Sequence, residues 1–228
     1  MRKQPDVLVF IRDGALPTLL FQRLLRKVRS IGKERLGLTY ETTFWFELRQ
    51  PSNVVEEAIL ALKPQMPVPA SVLGVEWWLS RMRTTDVRVD FHRDRDEKLA
   101  RRTGRIIHPK VSSVLFLNRA TGGLLAVSGN RPNDRNPARA PSRVDFSLVR
   151  PYPNRLAFFD GNRTHGVLDA YNRLPRTRGR GEQRLRLAVV VNWWHRRPLE
   201  VPLFSETAVY RSLVARRRST DTSAPMRR

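Results

Sequence analysis

The stretch Val87-Arg88-Val89-Asp90-Phe91-His92-Arg93-Asp94 decides how this chain reads. Val87, Val89 and Phe91 alternate with Arg88, Asp90, His92 and Asp94, the period-two pattern of a strand with one apolar and one polar face. His92 and Asp94 therefore point the same way at a strand end, where both can reach one metal ion. Imidazole plus carboxylate, joined by a second histidine, is the facial triad of non-haem Fe(II), which leaves coordination positions open. The third ligand should come from a later strand. His165, in Phe158-Phe159-Asp160-Gly161-Asn162-Arg163-Thr164-His165, follows a strand and a turn and is suitably placed.

Around this stretch the chain changes character near residue 84. Before it, Asp6–Ile11 has strand length, and Leu16, Leu19, Leu20, Leu24 and Val28 recur at helical spacing with a basic face between them. Thr42–Leu48 is β-branched and aromatic, hence a strand. Pro51-Ser52-Asn53 caps a helix over Val54–Leu62 that Pro64 stops. Val72, Val75, Trp78, Leu79 and Met82 predict a further helix over Ser71–Met82. After residue 85 the pattern is short strands with turn signals: Val87–His92, Val111–Asn118, Leu124–Ser128, Val144–Val149, Arg155–Asp160, Gly166–Leu168 and Leu185–Trp194. Gly122-Gly123 predicts a tight hairpin between the second and third. Residues 129–141 and 171–183 read as basic loops. Helices followed by short, evenly spaced strands indicate a β-sandwich or barrel of jelly-roll type with helices packed outside. The expected organisation is one structural domain: supporting helices and strands in 1–84, the barrel in 85–198, and an extension with a frayed tail in 199–228.

Composition excludes several chemistries. The chain has 228 residues and no cysteine, so disulfides, thiolate metal sites and a Cys nucleophile are ruled out. Its apolar runs are too short to span a membrane, and no small-residue cleavage site follows the basic start, so a cytoplasmic protein is expected. The 43 Lys+Arg against 21 Asp+Glu give a net charge of +22. The excess is spread along the chain and is mostly arginine, which fits compositional background better than a nucleic-acid footprint.

The stretch from Val89 to Trp194 resembles the Fe(II)/2-oxoglutarate-dependent oxygenases, in the style of the prolyl 4-hydroxylase-like group. The matching pieces are DFHRDRDE (90–97), HPKVSSVLFLN (108–118), TGGLLAV (121–127), RLAFFDGNRTHGV (155–167) and RLAVVVNWW (186–194). The resemblance implies a mainly β fold, a double-stranded β-helix (jelly roll, cupin-like) with N-terminal α/β support. It implies Fe(II) held by His92, Asp94 and His165, and Arg186 gripping the distal carboxylate of 2-oxoglutarate; a guanidinium suits that task because it is bidentate and always charged. The spacing from His165 to Arg186 is longer than the family's usual one, so Arg184, on the same strand face, is the alternative anchor, and Arg176 a poorer one. With O2 as oxidant, the implied reaction is hydroxylation of an unactivated C–H, with succinate and CO2 as co-products and ascorbate as an additional candidate cofactor. Asp94 argues for hydroxylation, since halogenating members lack the carboxylate.

Other residues rank lower. His108 could be a fourth ligand but reads as a turn histidine, and His195 marks a strand exit. Asp96-Glu97 reads as a solvated turn. Of each pair Trp77-Trp78 and Trp193-Trp194, core packing is the default. The expected substrate is a small molecule, amino acid or peptide, with the basic loops mildly favouring an anionic one. The alternatives are a basic nucleic-acid-binding jelly roll and a nucleic-acid demethylase of the same superfamily. Oligomeric state is left open.

Overall fold

The structure, a computed structural model, describes residues 8–32, 42–83, 91–129, 146–168 and 185–214. Its strands are β1 (Phe10–Arg12), β2 (Phe44–Phe46), β3 (Gly74–Arg83), β4 (Val111–Phe116), β5 (Leu125–Ser128), β6 (Phe146–Val149), β7 (Arg155–Asp160), β8 (His165–Val167) and β9 (Leu185–Trp194). The helices are α1 (Thr18–Ser30), α2 (Val54–Leu62) and α3 (Glu97–Thr103). A six-stranded antiparallel sheet has the order β1-β7-β4-β9-β3-β2, and a three-stranded one the order β6-β5-β8. His92 adds an antiparallel bridge to His165 at the free edge of β8. From β3 onward the chain passes repeatedly between the sheets: β3, the His92 segment, β4, β5 and β6, β7, β8, then β9. That winding is a double-stranded β-helix of jelly-roll type.

Alternation divides the large sheet into two faces. On its outer face Val75, Trp77 and Leu79 of β3 and Val189, Val191 and Trp193 of β9 form one core with Leu24 and Val28 of α1 and Val55, Ile59 and Leu62 of α2. Each such side chain contributes about 1.5–3 kcal/mol on full burial, so the supporting helices carry much of the stability. On the inner face Val114, Phe116, Ala157, Phe159 and Ala188 meet Leu125, Val127 and Val149 of the small sheet.

Helix α2 starts where expected. The Asn53 side chain accepts from the Val55 and Glu56 amides, and the Glu56 carboxylate accepts from Ser52 N and Oγ at 2.6 and 2.8 Å. The chain then tightens into a 3-10 turn over Lys63–Gln65, where Pro64 has no N–H to continue the helix.

Three expectations are corrected. Residues 74–83 are not helical: β3 pairs with β9 over its whole length. The apolar residues of 72–82 fit both periods, and Val75, Trp77 and Leu79 at period two are the ones that reach the outer core. Gly122 and Gly123 do make a turn, with φ of 74° and 66°, a conformation glycine adopts without steric cost. It joins no hairpin, because β4 lies between β7 and β9 while β5 lies between β6 and β8; the turn carries the chain from one sheet to the other. Asp96-Glu97 is not a solvated turn. Asp96 is buried and caps α3, accepting from Leu99 N at 3.0 Å and, through its other oxygen, from Leu199 N at 3.0 Å. Residues 87–90 of the expected first strand, the expected loops beyond Gly129 and the tail lie outside the described residues. No helix among the described residues is long and apolar enough to cross a membrane.

Candidate metal centre

Strand pairing sets the two histidines side by side. His92 N donates to His165 O at 3.0 Å and His165 N to His92 O at 2.9 Å, so the two are a directly opposed hydrogen-bonded pair. Opposed residues in an antiparallel pair project to the same face, and the rings lie 4.6 Å apart between centroids. Gly166 permits the approach: a Cβ there would stand 3.2 Å from Phe91 Cγ and 3.3 Å from its Cα. Asp94, two residues past His92, turns its carboxylate between the rings. Oδ1 is 3.3 Å from His92 Nε2 and Oδ2 is 3.4 Å from His165 Nε2. One ligand atom from each residue lies within 4.8 Å of the others.

This donor set fits a divalent metal ion. Ligands about 2.1 Å from a metal and at right angles to each other stand roughly 3 Å apart, close to the separations here. The protonation states are also those of ligands. Burial works against ionisation of Asp94, but the charges of His165 and His92 and hydrogen bonds from His92 and Ser112 outweigh it and hold the carboxyl at about 2. Burial likewise pushes the His165 imidazole below its usual range, against the pull of Asp94. A carboxylate beside a neutral imidazole binds a cation without first losing protons.

Neighbouring groups fix the orientations. His165 Nδ1–H donates to Arg163 O at 3.0 Å, which turns the Nε2 lone pair toward Asp94. Ser112 Oγ donates to Asp94 Oδ2 at 3.1 Å and also lies 2.8 Å from Asn192 Oδ1. His108 Nδ1–H donates to the Asp94 main-chain oxygen at 2.6 Å. His108 thus braces the Asp94 backbone and does not join the three converging side chains. The His92 side chain is 44% exposed while those of Asp94 and His165 are 10% exposed, so the centre opens on the His92 side.

Arg186 lies on the inner face of β9, buried, with its guanidinium 5.0 Å above the Phe116 ring and 3.5 Å from Ser80 Oγ. Arg184 and Arg176 lie outside the described residues. His195 stands at the exit of β9 and is not one of the three converging side chains. Trp77 and Trp193 belong to the outer core, Trp194 packs with Trp45, and Trp78 faces inward, partly exposed. Sequence reasoning missed Ser112 and the bracing role of His108. Period two along Val111–Phe116 puts Ser112 on the inner face with Val114 and Phe116, but which inner residue stands beside a ligand depends on the register between β4 and β9, which a single strand does not reveal.

Comparison with known proteins gives structural likenesses only. A prolyl 4-hydroxylase of Pseudomonas putida is 19% identical over 83% of this chain and 88% of its own, with a TM-score of 0.47. A prolyl 4-hydroxylase structure from Phytophthora capsici is 14% identical over 89% of this chain and 62% of its own, with a TM-score of 0.47. No family model and no curated protein matches the chain.

Proposed function

We propose that this chain is an Fe(II)- and 2-oxoglutarate-dependent dioxygenase that hydroxylates an unactivated C–H of an amino-acid, peptidyl or small-molecule substrate, releasing succinate and CO2. The observation that carries the reading is the convergence of His92, Asp94 and His165 at an open end of the inter-sheet space, with Arg186 buried farther along the same inner face. Iron together with 2-oxoglutarate and O2 supplies the oxidising chemistry. His92, Asp94 and His165 are the residues that would hold the ion. Arg186 offers the distal carboxylate of 2-oxoglutarate a charged, planar donor pair held flat by Phe116 and desolvated by burial. The apolar inner-face residues Val114, Phe116 and Ala188 keep water from the space between ion and anchor.

Anaerobic addition of Fe(II) and 2-oxoglutarate is expected to give a weak visible charge-transfer band, and admission of O2 with ascorbate to release succinate. Asp94→Ala should lose both. A variant that keeps the band and the succinate yield, or an unaltered protein that gives neither, overturns the proposal.

A further inference from the structure

Among the described residues, part of the inner face of the large sheet is not fully buried. Val190 sits mid-strand on β9 between β3 and β4, yet it is partly exposed, and so are Trp78 and Glu76 on β3. Their outward neighbours Val75, Trp77 and Leu79 are at most 1% exposed. Alternation puts Glu76, Trp78 and Ser80 on the inner face, so the exposure of Glu76, Trp78 and Val190 opens into the space between the sheets. The register aligns Glu76 with Asn192 across β3–β9, and Asn192 with Ser112 across β9–β4. Ser112 in turn touches Asp94. Glu76 therefore stands in the same row as the metal centre, two strands over.

Glu76 is unusual among the described carboxylates. Asp13, Glu57, Glu97, Asp160, Glu200 and Glu206 each pair with a Lys or Arg. The buried Glu56 is held by Ser52, and Asp96 by backbone amides with Arg196 near, while Glu47, which has no ion pair among the described residues either, lies exposed to solvent. Glu76 has Thr43 and Trp194 as its polar neighbours and no Lys, Arg or His in an ion pair among the described residues. A carboxylate in such a recess is costly unless a positive group meets it, and this chain has 43 cations from which a partner could have come. Two residues along on the same face stands Trp78, the ring type that attracts a cation best.

We infer that Glu76 and Trp78 form the part of the pocket that receives a cationic substrate group, an ammonium or guanidinium side chain. This rests on the proposed oxygenase reading and names its substrate class. Burial pushes the Glu76 carboxyl up to about 7, with Asp94 and Asp96 adding to the shift, and a cation beside it would favour the ionised form that burial resists. The inference replaces the expectation of an anionic substrate, whose grounds were loops outside the described residues.

The test is a succinate-release panel of amino acids and short capped peptides in matched sets: arginine against citrulline, lysine against norleucine, and glutamate. The cationic members should turn over fastest. Glu76→Gln should lower their kcat/KM about ten- to a hundredfold, mainly through KM, as loss of a charge-assisted bond implies, and leave the neutral members within about twofold. Calorimetric binding of the same compounds to the Mn(II)-loaded protein should show the same loss, Glu76→Asp should recover part of it, and thermal unfolding checks that each variant is folded. Equal losses across the sets, or cations that bind the Mn(II)-loaded protein no more tightly than their neutral isosteres, overturn the inference. Absence of the Fe(II)–2-oxoglutarate band in the unaltered protein instead overturns the oxygenase reading itself.

Discussion

Ser112→Ala separates the work of a single hydroxyl from the work of the ligands. Ser112 Oγ has one proton and two oxygen neighbours, Asp94 Oδ2 at 3.1 Å and Asn192 Oδ1 at 2.8 Å, and Ser112 and Asn192 are only 1–2% exposed. With the Asn192 amide turned so that its nitrogen donates to Oγ, the proton is free for Asp94, and a relay Asn192–Ser112–Asp94 is complete. Alanine removes a charge-assisted bond and leaves the Asn192 amide without a partner, at a cost of about 2–3 kcal/mol to the metal-free fold. For a chain of this size that lowers Tm by roughly 4–12 °C. Loss of an outer hydrogen bond to a metal ligand typically lowers metal affinity about 10- to 100-fold. The adjacent Ser113 is an internal control. It is equally buried but faces the outer core, donating to Val191 O at 3.1 Å and accepting from Trp193 Nε1 at 3.0 Å. Ser113→Ala should destabilise the fold to a similar degree and leave metal affinity unchanged.

The assay is anaerobic titration of each variant with Mn(II), read by the loss of the free-ion paramagnetic signal, beside thermal unfolding of the metal-free forms. Ser112→Thr, which keeps the hydroxyl, should bind Mn(II) nearly as the unaltered protein does. The reasoning fails if Ser112→Ala binds within twofold of the unaltered protein, or if Ser113→Ala loses as much affinity, since either result makes the effect one of general packing.

Arg186→Ala should weaken 2-oxoglutarate binding at least tenfold while Mn(II) affinity holds, as read by calorimetry, and Arg186→Lys should recover only part because a single ammonium lacks the fork; unchanged 2-oxoglutarate affinity would move the anchor elsewhere. Gly74→Ala places a Cβ 2.3 Å from Trp45 Cζ2 and 2.7 Å from Phe46 O, and the overpacking should cost roughly 3 kcal/mol, seen as a Tm lowered by about 6–12 °C. The pH dependence of stability has opposed parts. Glu76 titrates at about 7 in the fold against its ordinary 4.5, so the native state binds more protons across that window and the metal-free protein loses stability as pH rises through it, by at most about 3 kcal/mol. His165, held below 6.5, acts the other way, its contribution falling as pH drops below 6.5. Subtracting the profile of Glu76→Gln isolates the first part by guanidinium unfolding at each pH; parallel profiles would contradict it.

The architecture was legible because its strands follow period two, whereas the strand face expected to carry His92 lies largely outside the described residues, and what the structure shows is that the three side chains come together. His92, Asp94 and the strand-turn preceding His165 need only the local chain to declare a face and a strand end. Arg186 could be placed inward for the same reason, through its shared face with Ala188, Val190 and Asn192. What escaped depends on which strands are neighbours. Ser71–Met82 carries apolar residues at both periods, and only ten residues of pairing with β9 decide for strand. Gly122-Gly123 announces a turn but not its destination. Asp96 looks solvated in a run of charges, whereas the amide it holds, Leu199 N, lies far along the chain. His108 carries a signal of the same kind: its imidazole meets a carbonyl 14 residues upstream, which no local pattern reveals.

The two faces of the large sheet explain how such a centre is supported. A row of Glu76, Asn192 and Ser112 leading to Asp94 would be ruinous in an ordinary core, because each polar group would need a partner and each charge a counter-charge. The outer face, with Trp77, Leu79, Val191 and Trp193 packed under α1 and α2, supplies cohesion that does not depend on the inner row. Adjacent residues on one strand thus divide the labour: Trp77 holds the sheet together while Glu76 and Trp78 face the pocket, and Ser113 ties Trp193 to β4 while Ser112 serves Asp94. Substitutions in the inner row should therefore shift binding more than folding, and substitutions one residue away should do the reverse. The separation is sharpest at Ser112 and Ser113, where the same change in the same sheet differs only in the face it alters.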